Sequence, residues 1–158
     1  MAIKASAFVV GKDLDVPLGG LLQSEGVWYV RAQIKTGDAL LDVAIAISGE
    51  NLGDTLQLNN AASCVHLAEG LRVEYRVSDI IGGPGKPPNG ALAWSVDGKE
   101  QAVSFNGSYV TAEGTESKKC SKEHAFYSLN WGAWLVDAEG KDVAREALFF
   151  NQIIQAGR

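Results

Sequence analysis

The sequence predicts a mainly β fold, namely a single antiparallel β-sandwich with one short C-terminal helix. Many short segments carry the alternation of apolar and polar residues that is typical of strands. Eighteen glycines against four prolines suit a chain with many turns. Nothing repeats at a fixed period, which argues against a propeller or a solenoid. A chain of 158 residues fits one domain, so residues 1–158 are expected to form a single sandwich.

Three long segments in the first half predict strands. Residues 27–35 (VWYVRAQIK) are rich in β-branched and aromatic residues. Residues 41–48 (LDVAIAIS) place Leu41, Val43, Ile45 and Ile47 on one face. Residues 71–77 (LRVEYRV) alternate apolar and polar side chains, as a half-exposed antiparallel strand does. Shorter strands are expected at residues 55–58 and 65–67, and residues 8–10 are compatible with a strand. Residues 16–22 contain a proline and two glycines, and they fit either an edge strand or a loop.

The middle of the chain predicts a hairpin between two loops. Residues 91–96 (ALAWSV) and 100–105 (EQAVSF) flank the turn Asp97-Gly98-Lys99, so they are expected to pair. Residues 81–90 (IGGPGKPPNG) predict a long loop, because proline and glycine interrupt regular pairing. The polar residues 111–123 are expected to form a second loop.

The C-terminal segment from residue 128 to residue 154 predicts a strand, a turn and a helix. Four residues of the strand share one face, namely Leu129, Trp131, Ala133 and Leu135. Residues 137–140 (DAEG) make the turn. Four apolar residues then follow at intervals of four, three and four, namely Val143, Ala147, Phe150 and Ile154. This spacing predicts the short helix.

Composition limits the classes of function. A net charge of -5 and a pI near 5.0 disfavour nucleic acid as a partner, because phosphate binding needs a basic face. The first residues lack an apolar run of signal-peptide length. No window approaches the roughly 18 apolar residues that span a bilayer. The protein is therefore expected to be soluble, and either cytoplasmic or exported by a non-classical route.

Residues suited to catalysis are scarce. Cys64 and Cys120 form one bridge or remain two free thiols, and the thiols are favoured because cytosolic cysteines are usually reduced. A Cys–His pair is conceivable from Cys64 with His66, or from Cys120 with His124, but no family signature surrounds either pair. The sequence has no CxxC and no HExxH for zinc. We therefore expect no enzyme activity, no cofactor and no metal.

Two glycine-containing motifs predict turns. Residues 82–87 (GGPGKP) lack the first glycine of a phosphate-binding loop, and a proline follows Lys86 where that loop has serine or threonine. Residues 106–108 (NGS) fit a glycosylation sequon, but Asn-Gly between two strands is also a typical hairpin turn.

Aromatic residues give the best indication of function. Trp131 and Trp134 point to opposite faces of a strand, so at least one should be accessible, and the same holds for Trp28 and Tyr29. Exposed tryptophan and tyrosine suit sugar rings, membrane interfaces or a protein partner. The candidate ligand contacts are Trp94, Tyr109, Trp131 and Trp134.

These observations favour a non-enzymatic protein that recognises a glycan or a membrane lipid headgroup. The alternative is a structural protein without a small ligand, in which the aromatics and an open sheet edge form a homo-oligomer.

The second half of the chain resembles the actinoporin-like haemolysin superfamily, which includes fungal fruit-body lectins. The resemblance is carried by residues 91–105 (ALAWSVDGKEQAVSF), by the turn through Tyr109 and by residues 130–153 (NWGAWLVDAEGKDVAREALFFNQI), with residues 41–58 similar upstream. It implies a compact sandwich that binds a lipid headgroup or a glycan. The matching positions would be Ser104, Tyr109 and the pair Phe149 and Phe150.

The chain departs from that family in three places. Residues 111–124 (TAEGTESKKCSKEH) are polar where the family has an aromatic membrane loop, and phenylalanines stand where its helix offers tyrosines. Residues 1–35 show no counterpart of its long amphipathic pore-forming helix. The resemblance therefore implies recognition more directly than pore formation. A shorter stretch, residues 43–53 (VAIAISGENLG), resembles the immunoglobulin-like fungal immunomodulatory proteins.

Overall fold

The structure is a computed structural model that describes residues 3–59, 63–83 and 85–154. Strands make up 51% of the chain and helical residues 7%, which confirms the predicted mainly β class. The strands are β1 (Phe8–Lys12), β2 (Leu21–Ser24), β3 (Val27–Thr36), β4 (Ala39–Ala46), β5 (Thr55–Gln57), β6 (Ser63–Leu67), β7 (Arg72–Val77), β8 (Ile81–Gly82), β9 (Leu92–Ser95), β10 (Gln101–Phe105), β11 (Ser108–Thr111), β12 (His124–Ser128), β13 (Asn130–Val136) and β14 (Phe149–Gln152). The described α-helix, α1, is Lys118–Lys122, and 3₁₀ turns form at Ala5–Ala7 and Asp13–Asp15.

The strands form three antiparallel sheets. A six-stranded sheet has the order β1-β6-β2-β3-β4-β5, and a five-stranded sheet has the order β11-β10-β9-β12-β8. A three-stranded sheet has the order β14-β13-β7. Only one residue, Leu129, separates β12 from β13, so the chain passes directly from the five-stranded to the three-stranded sheet.

The main core lies between the six-stranded sheet and the other two. Alternation along each strand supplies one apolar face, so residues from all three sheets meet there and exclude water. Its buried members are Leu21, Trp28, Val30, Ala32, Val43, Ile45, Ile47, Leu92, Val103, Phe105, Val110 and Trp131. A second cluster, which includes Tyr109, Cys120 and Tyr127, covers the opposite face of the five-stranded sheet beneath α1.

The helix predicted after residue 140 is wrong. Phe149–Gln152 is instead strand β14, which pairs with β13 so that Phe149 lies opposite Ala133 and Phe150 opposite Gly132. Helical spacing would have required a buried stripe, yet Val143, Phe150 and Ile154 are all exposed. The free side of β13 needs backbone partners, and pairing with β14 supplies them.

The predicted loop at residues 111–123 is wrong in part, because it contains α1. Ser117 caps this helix by accepting a hydrogen bond at Oγ from the Cys120 backbone N–H, at 3.0 Å. The sequence did not indicate this helix, because the segment is polar and the helix has only five residues.

The predicted hairpins are confirmed. Strand β9 pairs with β10, and Asn106 and Gly107 connect β10 to β11 with φ of 45° and 83°. Positive φ at both positions is the backbone of a type I′ turn, so these residues act as a hairpin turn. None of the described helices is long or apolar enough to cross a membrane.

Candidate functional site

Three of the predicted ligand contacts are core residues. Trp131 is fully buried, and Ser104 and Tyr109 are 2% and 8% exposed. Trp131 lies on the inner face of β13, where its indole N–H donates to the Gly90 carbonyl oxygen at 2.8 Å. A side chain so enclosed cannot contact a ligand at the surface. The predicted role of these three residues is therefore corrected to packing.

The other two predicted contacts, Trp94 and Trp134, are partly exposed but lie on different sheets. Trp134 is on the outer face of the three-stranded sheet, as the parity with Trp131 predicted. The Arg76 guanidinium covers its ring at 5.3 Å from the centroid, and Arg76 is ion-paired with Asp142. Much of the Trp134 ring is thus already occupied by protein.

Trp94 occupies a more open position on β9. Its ring stacks on Phe126, with centroids 4.9 Å apart and an interplanar angle of 20°. Across the ladder it lies opposite Gln101. Stacking fixes the orientation of the indole, so Trp94 presents a preformed aromatic surface.

Trp94 lines the smaller of two adjoining cavities, which together we call the cleft. The smaller cavity has a volume of about 420 Å³ and is lined by Trp94, Gly98, Lys99, Glu100, Gln101, Ala112 and Glu113. The larger has about 880 Å³ and is lined by Val9, residues 15–21, residues 66–73, Tyr75, Ala112 and Glu113. Both volumes fall in the range of small-molecule sites. Ala112 and Glu113 line both cavities, so both cavities border the turn of residues 111–114.

Arg31 holds one wall of the larger cavity in place. Its Nη1 donates to the carbonyl oxygens of Leu14, at 3.0 Å, and of Val16. Its Nη2 donates to Asp42 Oδ1 at 3.1 Å. Backbone bonds at Gly19 and Gly20 tie the same wall to Arg31, each at 2.9 Å. The wall is therefore anchored to β3 and is not a free loop.

Two glycines bring this wall against the 111–114 turn. A Cβ on Gly114 would lie 2.5 Å from both the Arg31 carbonyl oxygen and the Gly19 nitrogen. A Cβ on Gly19 would clash with the Ala112 carbonyl oxygen and lie 2.9 Å from the Glu113 backbone. Only glycine allows two backbones to approach so closely. This contact positions the turn at the junction of the two cavities.

Tyr75 brings a polar group to the larger cavity. Its ring packs edge-on against Trp131, with centroids 5.2 Å apart, and burial raises the pKa of its hydroxyl. Within the described residues, that hydroxyl has no hydrogen-bond partner. It remains protonated at neutral pH and is a donor available to an occupant of the cavity.

Acidic groups outnumber basic groups around the cleft. Its lining includes four carboxylates, those of Asp15, Glu69, Glu100 and Glu113. The same lining includes two cationic side chains, Lys99 and Arg72, and the imidazole of His66. Glu100 Oε2 accepts from Ser117 Oγ at 2.8 Å, whereas Glu113 is exposed. The cleft is therefore better suited to hydroxyl groups than to an anion.

The cysteines and histidines do not form nucleophilic pairs. Cys64 and Cys120 are buried free thiols, the favoured of the two expectations. Burial raises the pKa of both, so neither is activated as a thiolate. The His66 and His124 rings contact the carbonyl oxygens of Leu67 and Gly85. Across the described ranges, no group of three or more His, Cys, Asp or Glu side chains could hold a metal ion.

Comparison with family models, curated proteins and solved structures gives no match. The resemblance to the actinoporin-like superfamily therefore stays a prediction. One of its elements, the helix after residue 140, is a strand in this chain.

The sequence pattern missed most of the cleft. Its lining comes from residues 9–21, 66–75, 94–101 and 112–113, which only the sheet order brings together. Gly19 and Gly114 were the available signal, since glycines near strand ends often mark a close backbone approach.

Proposed function

We propose that the protein is a non-enzymatic recognition protein that binds a glycan in the cleft. The observation that carries this proposal is the position of Trp94. Its ring is partly exposed, fixed by stacking on Phe126 and set in a cavity wall beside Gln101. A rigid aromatic surface next to polar side chains matches a sugar, which has an apolar C–H face and a rim of hydroxyls.

Donors and acceptors of the cleft support the same ligand class. The Tyr75 hydroxyl and the Trp94 indole N–H have no hydrogen-bond partner within the described residues, and the Glu113 carboxylate is exposed. Sugar hydroxyls both donate and accept, so they can pair with all three groups. Such pairing favours ligands that carry hydroxyls, because a ligand without them would displace water from these groups and leave them without a hydrogen bond.

A glycan fits the cleft better than a lipid headgroup does. The excess of carboxylates disfavours anionic headgroups. A choline headgroup needs several aromatic rings around one cation, whereas Trp94 and Tyr75 line different cavities. The lipid alternative therefore becomes an outcome of the test.

A glycan array followed by calorimetry with the best hit tests the proposal. We expect Trp94→Ala to weaken binding at least about tenfold, the loss of roughly 1.4 kcal/mol of stacking and hydrogen bonding. Trp134→Ala is the matched control, since Trp134 is also partly exposed but lies outside the cleft. It should leave the affinity unchanged.

Three results would overturn the proposal. The first is a glycan array without a hit. The second is a hit that binds the wild type and Trp94→Ala with the same affinity. The third is binding to phosphatidylcholine or phosphatidylserine vesicles in the absence of any glycan binding, which would favour the lipid alternative.

One observation favours self-assembly as a second candidate. Strand β1 is an edge of the six-stranded sheet, and its Val9 and Val10 are 40% and 76% exposed. Exposed valines on an edge strand suit pairing with a second copy of the chain. Light scattering of the wild type and of Val10→Lys tests this candidate. A dimer that the substitution dissociates supports it, and a monomer at every concentration excludes it.

A further inference from the structure

We infer that the ligand of the cleft is an extended glycan of more than one sugar unit, which crosses the 111–114 turn and occupies both cavities. The inference rests on the proposed function and specifies its ligand. It follows from the way in which the two cavities share Ala112 and Glu113.

Each cavity is a separate contact site. The smaller, of about 420 Å³, offers the Trp94 ring, and the larger, of about 880 Å³, offers the Tyr75 hydroxyl. These groups lie on β9 and β7, which belong to different sheets. A single sugar in one cavity would make no contact with the donor of the other. A longer chain satisfies both, and its second contact needs no second association step.

The turn between the cavities permits the crossing. Ala112 is exposed, and its side chain is a single methyl group. The contact between Gly19 and Gly114 anchors the turn to the wall, so the turn cannot swing into either cavity without breaking it. Glu113 lines both cavities, so its carboxylate can accept hydroxyls at the junction. A ligand that passes over Ala112 would meet this acceptor midway.

Two variables test the inference together, namely the length of the glycan and a substitution, Ala112→Phe, that blocks the path between the cavities. For the glycan identified on the array, the affinities of its monosaccharide, disaccharide and tetrasaccharide are measured by calorimetry. We expect the tetrasaccharide to bind at least about tenfold more tightly than the monosaccharide, since it adds hydrogen bonds in the second cavity. Trp94→Ala and Tyr75→Phe should each weaken tetrasaccharide binding by about fivefold or more.

Ala112→Phe should weaken the tetrasaccharide selectively, because its ring would stand in the path between the cavities. Ala138→Phe is the matched control, an exposed alanine in the turn after β13, away from the cleft. Unfolding midpoints of all variants confirm that they fold.

Equal affinity for the monosaccharide and the tetrasaccharide would overturn the inference, and so would a loss of affinity in Trp94→Ala without any loss in Tyr75→Phe. The proposed function would survive both results. The absence of any glycan ligand would overturn the function and the inference together.

Discussion

Asp79 and Asn130 are joined by two hydrogen bonds where the chain leaves the five-stranded sheet for the three-stranded sheet. Asp79 Oδ1 accepts from the Asn130 backbone N–H at 2.9 Å, and Oδ2 accepts from Asn130 Nδ2 at 3.1 Å. Oδ1 also accepts from the Leu129 N–H at 3.1 Å and from Ser128 Oγ at 2.5 Å. One carboxylate thus satisfies the donors that the break between β12 and β13 leaves unpaired.

Asp79→Ala should destabilise the fold by about 2 kcal/mol, because it leaves several partly buried donors without a partner. Urea unfolding followed by tryptophan fluorescence measures the change. Asp54→Ala is the control, since the exposed Asp54 side chain makes no hydrogen bond within the described residues. Equal stability of both variants would show that the Asp79 carboxylate does not stabilise the connection between β12 and β13.

The same carboxylate should make stability depend on pH. Burial alone would raise the pKa of Asp79, but hydrogen bonds from Ser128, Asn130 and Leu129 outweigh it and lower the pKa. Its contribution is therefore complete above the unfolded value of about 3.9 and is lost as the pH falls through the folded pKa. The stability difference between the wild type and Asp79→Ala should shrink below about pH 4. A stability difference between the two proteins that stays constant as the pH falls well below about 4 would contradict this expectation.

Gly114→Ala should cost at least about 3 kcal/mol, since backbone strain and a steric clash add. Gly26 isolates the strain, because it has the same φ of +81° but open space around its Cβ position. Gly26→Ala should cost only about 1 kcal/mol. Thermal unfolding of both variants gives the comparison, and equal losses would show that the contact between Gly19 and Gly114 is not tight.

Trp131 and Trp134 should differ sharply in their effect on stability. Trp131→Ala removes a fully buried ring that packs on Tyr75 and Phe149, so a loss of about 3–5 kcal/mol is expected. Trp134→Ala should cost about 1 kcal/mol, mainly the contact with Arg76. Chemical unfolding of the two variants measures both values. Similar losses would contradict the assignment of Trp131 to the core.

The two thiols should be unreactive in the folded protein. Cys64 and Cys120 are buried, and burial raises their pKa, so little thiolate is accessible at neutral pH. Ellman's reagent should react at least about 100-fold more slowly with the native than with the unfolded protein. Rapid modification of either cysteine under native conditions would contradict its buried position.

Local patterns were enough to predict most strands. Alternation in residues 27–35 and 71–77 predicted β3 and β7 almost to the residue, and Asn106-Gly107 predicted a hairpin turn. In each case the alternating face is the one that the core buries, so local and tertiary preferences agree.

The C-terminal helix failed because four apolar residues at helical spacing did not share a buried face. Phe149 packs inward and Phe150 outward, which is strand parity, and the next residue, Asn151, is anchored by its Nδ2 donating to the Ile47 carbonyl oxygen at 2.7 Å. That anchor spans more than a hundred residues of sequence. A pairing of this kind depends on the position of other strands and leaves no local signal.

The candidate site could be predicted only in part, for a related reason. Parity indicated that at least one of Trp131 and Trp134 would be accessible, and Trp134 is the partly exposed one. Parity could not show that Arg76 covers part of the Trp134 ring. It also could not show that Trp94 lines a cavity with residues 98–101 and 112–113. Cavities are formed between elements, so they become visible only when the sheet order is known.

Calorimetric titration of the wild type, Trp94→Ala and Trp134→Ala with the best glycan from an array tests the central claim most directly. Binding by the wild type and by Trp134→Ala with equal affinity, and an affinity at least about tenfold weaker for a folded Trp94→Ala, is the predicted result. Equal affinities for all three proteins, or no glycan bound by the wild type, would contradict the assignment of the cleft as a glycan site.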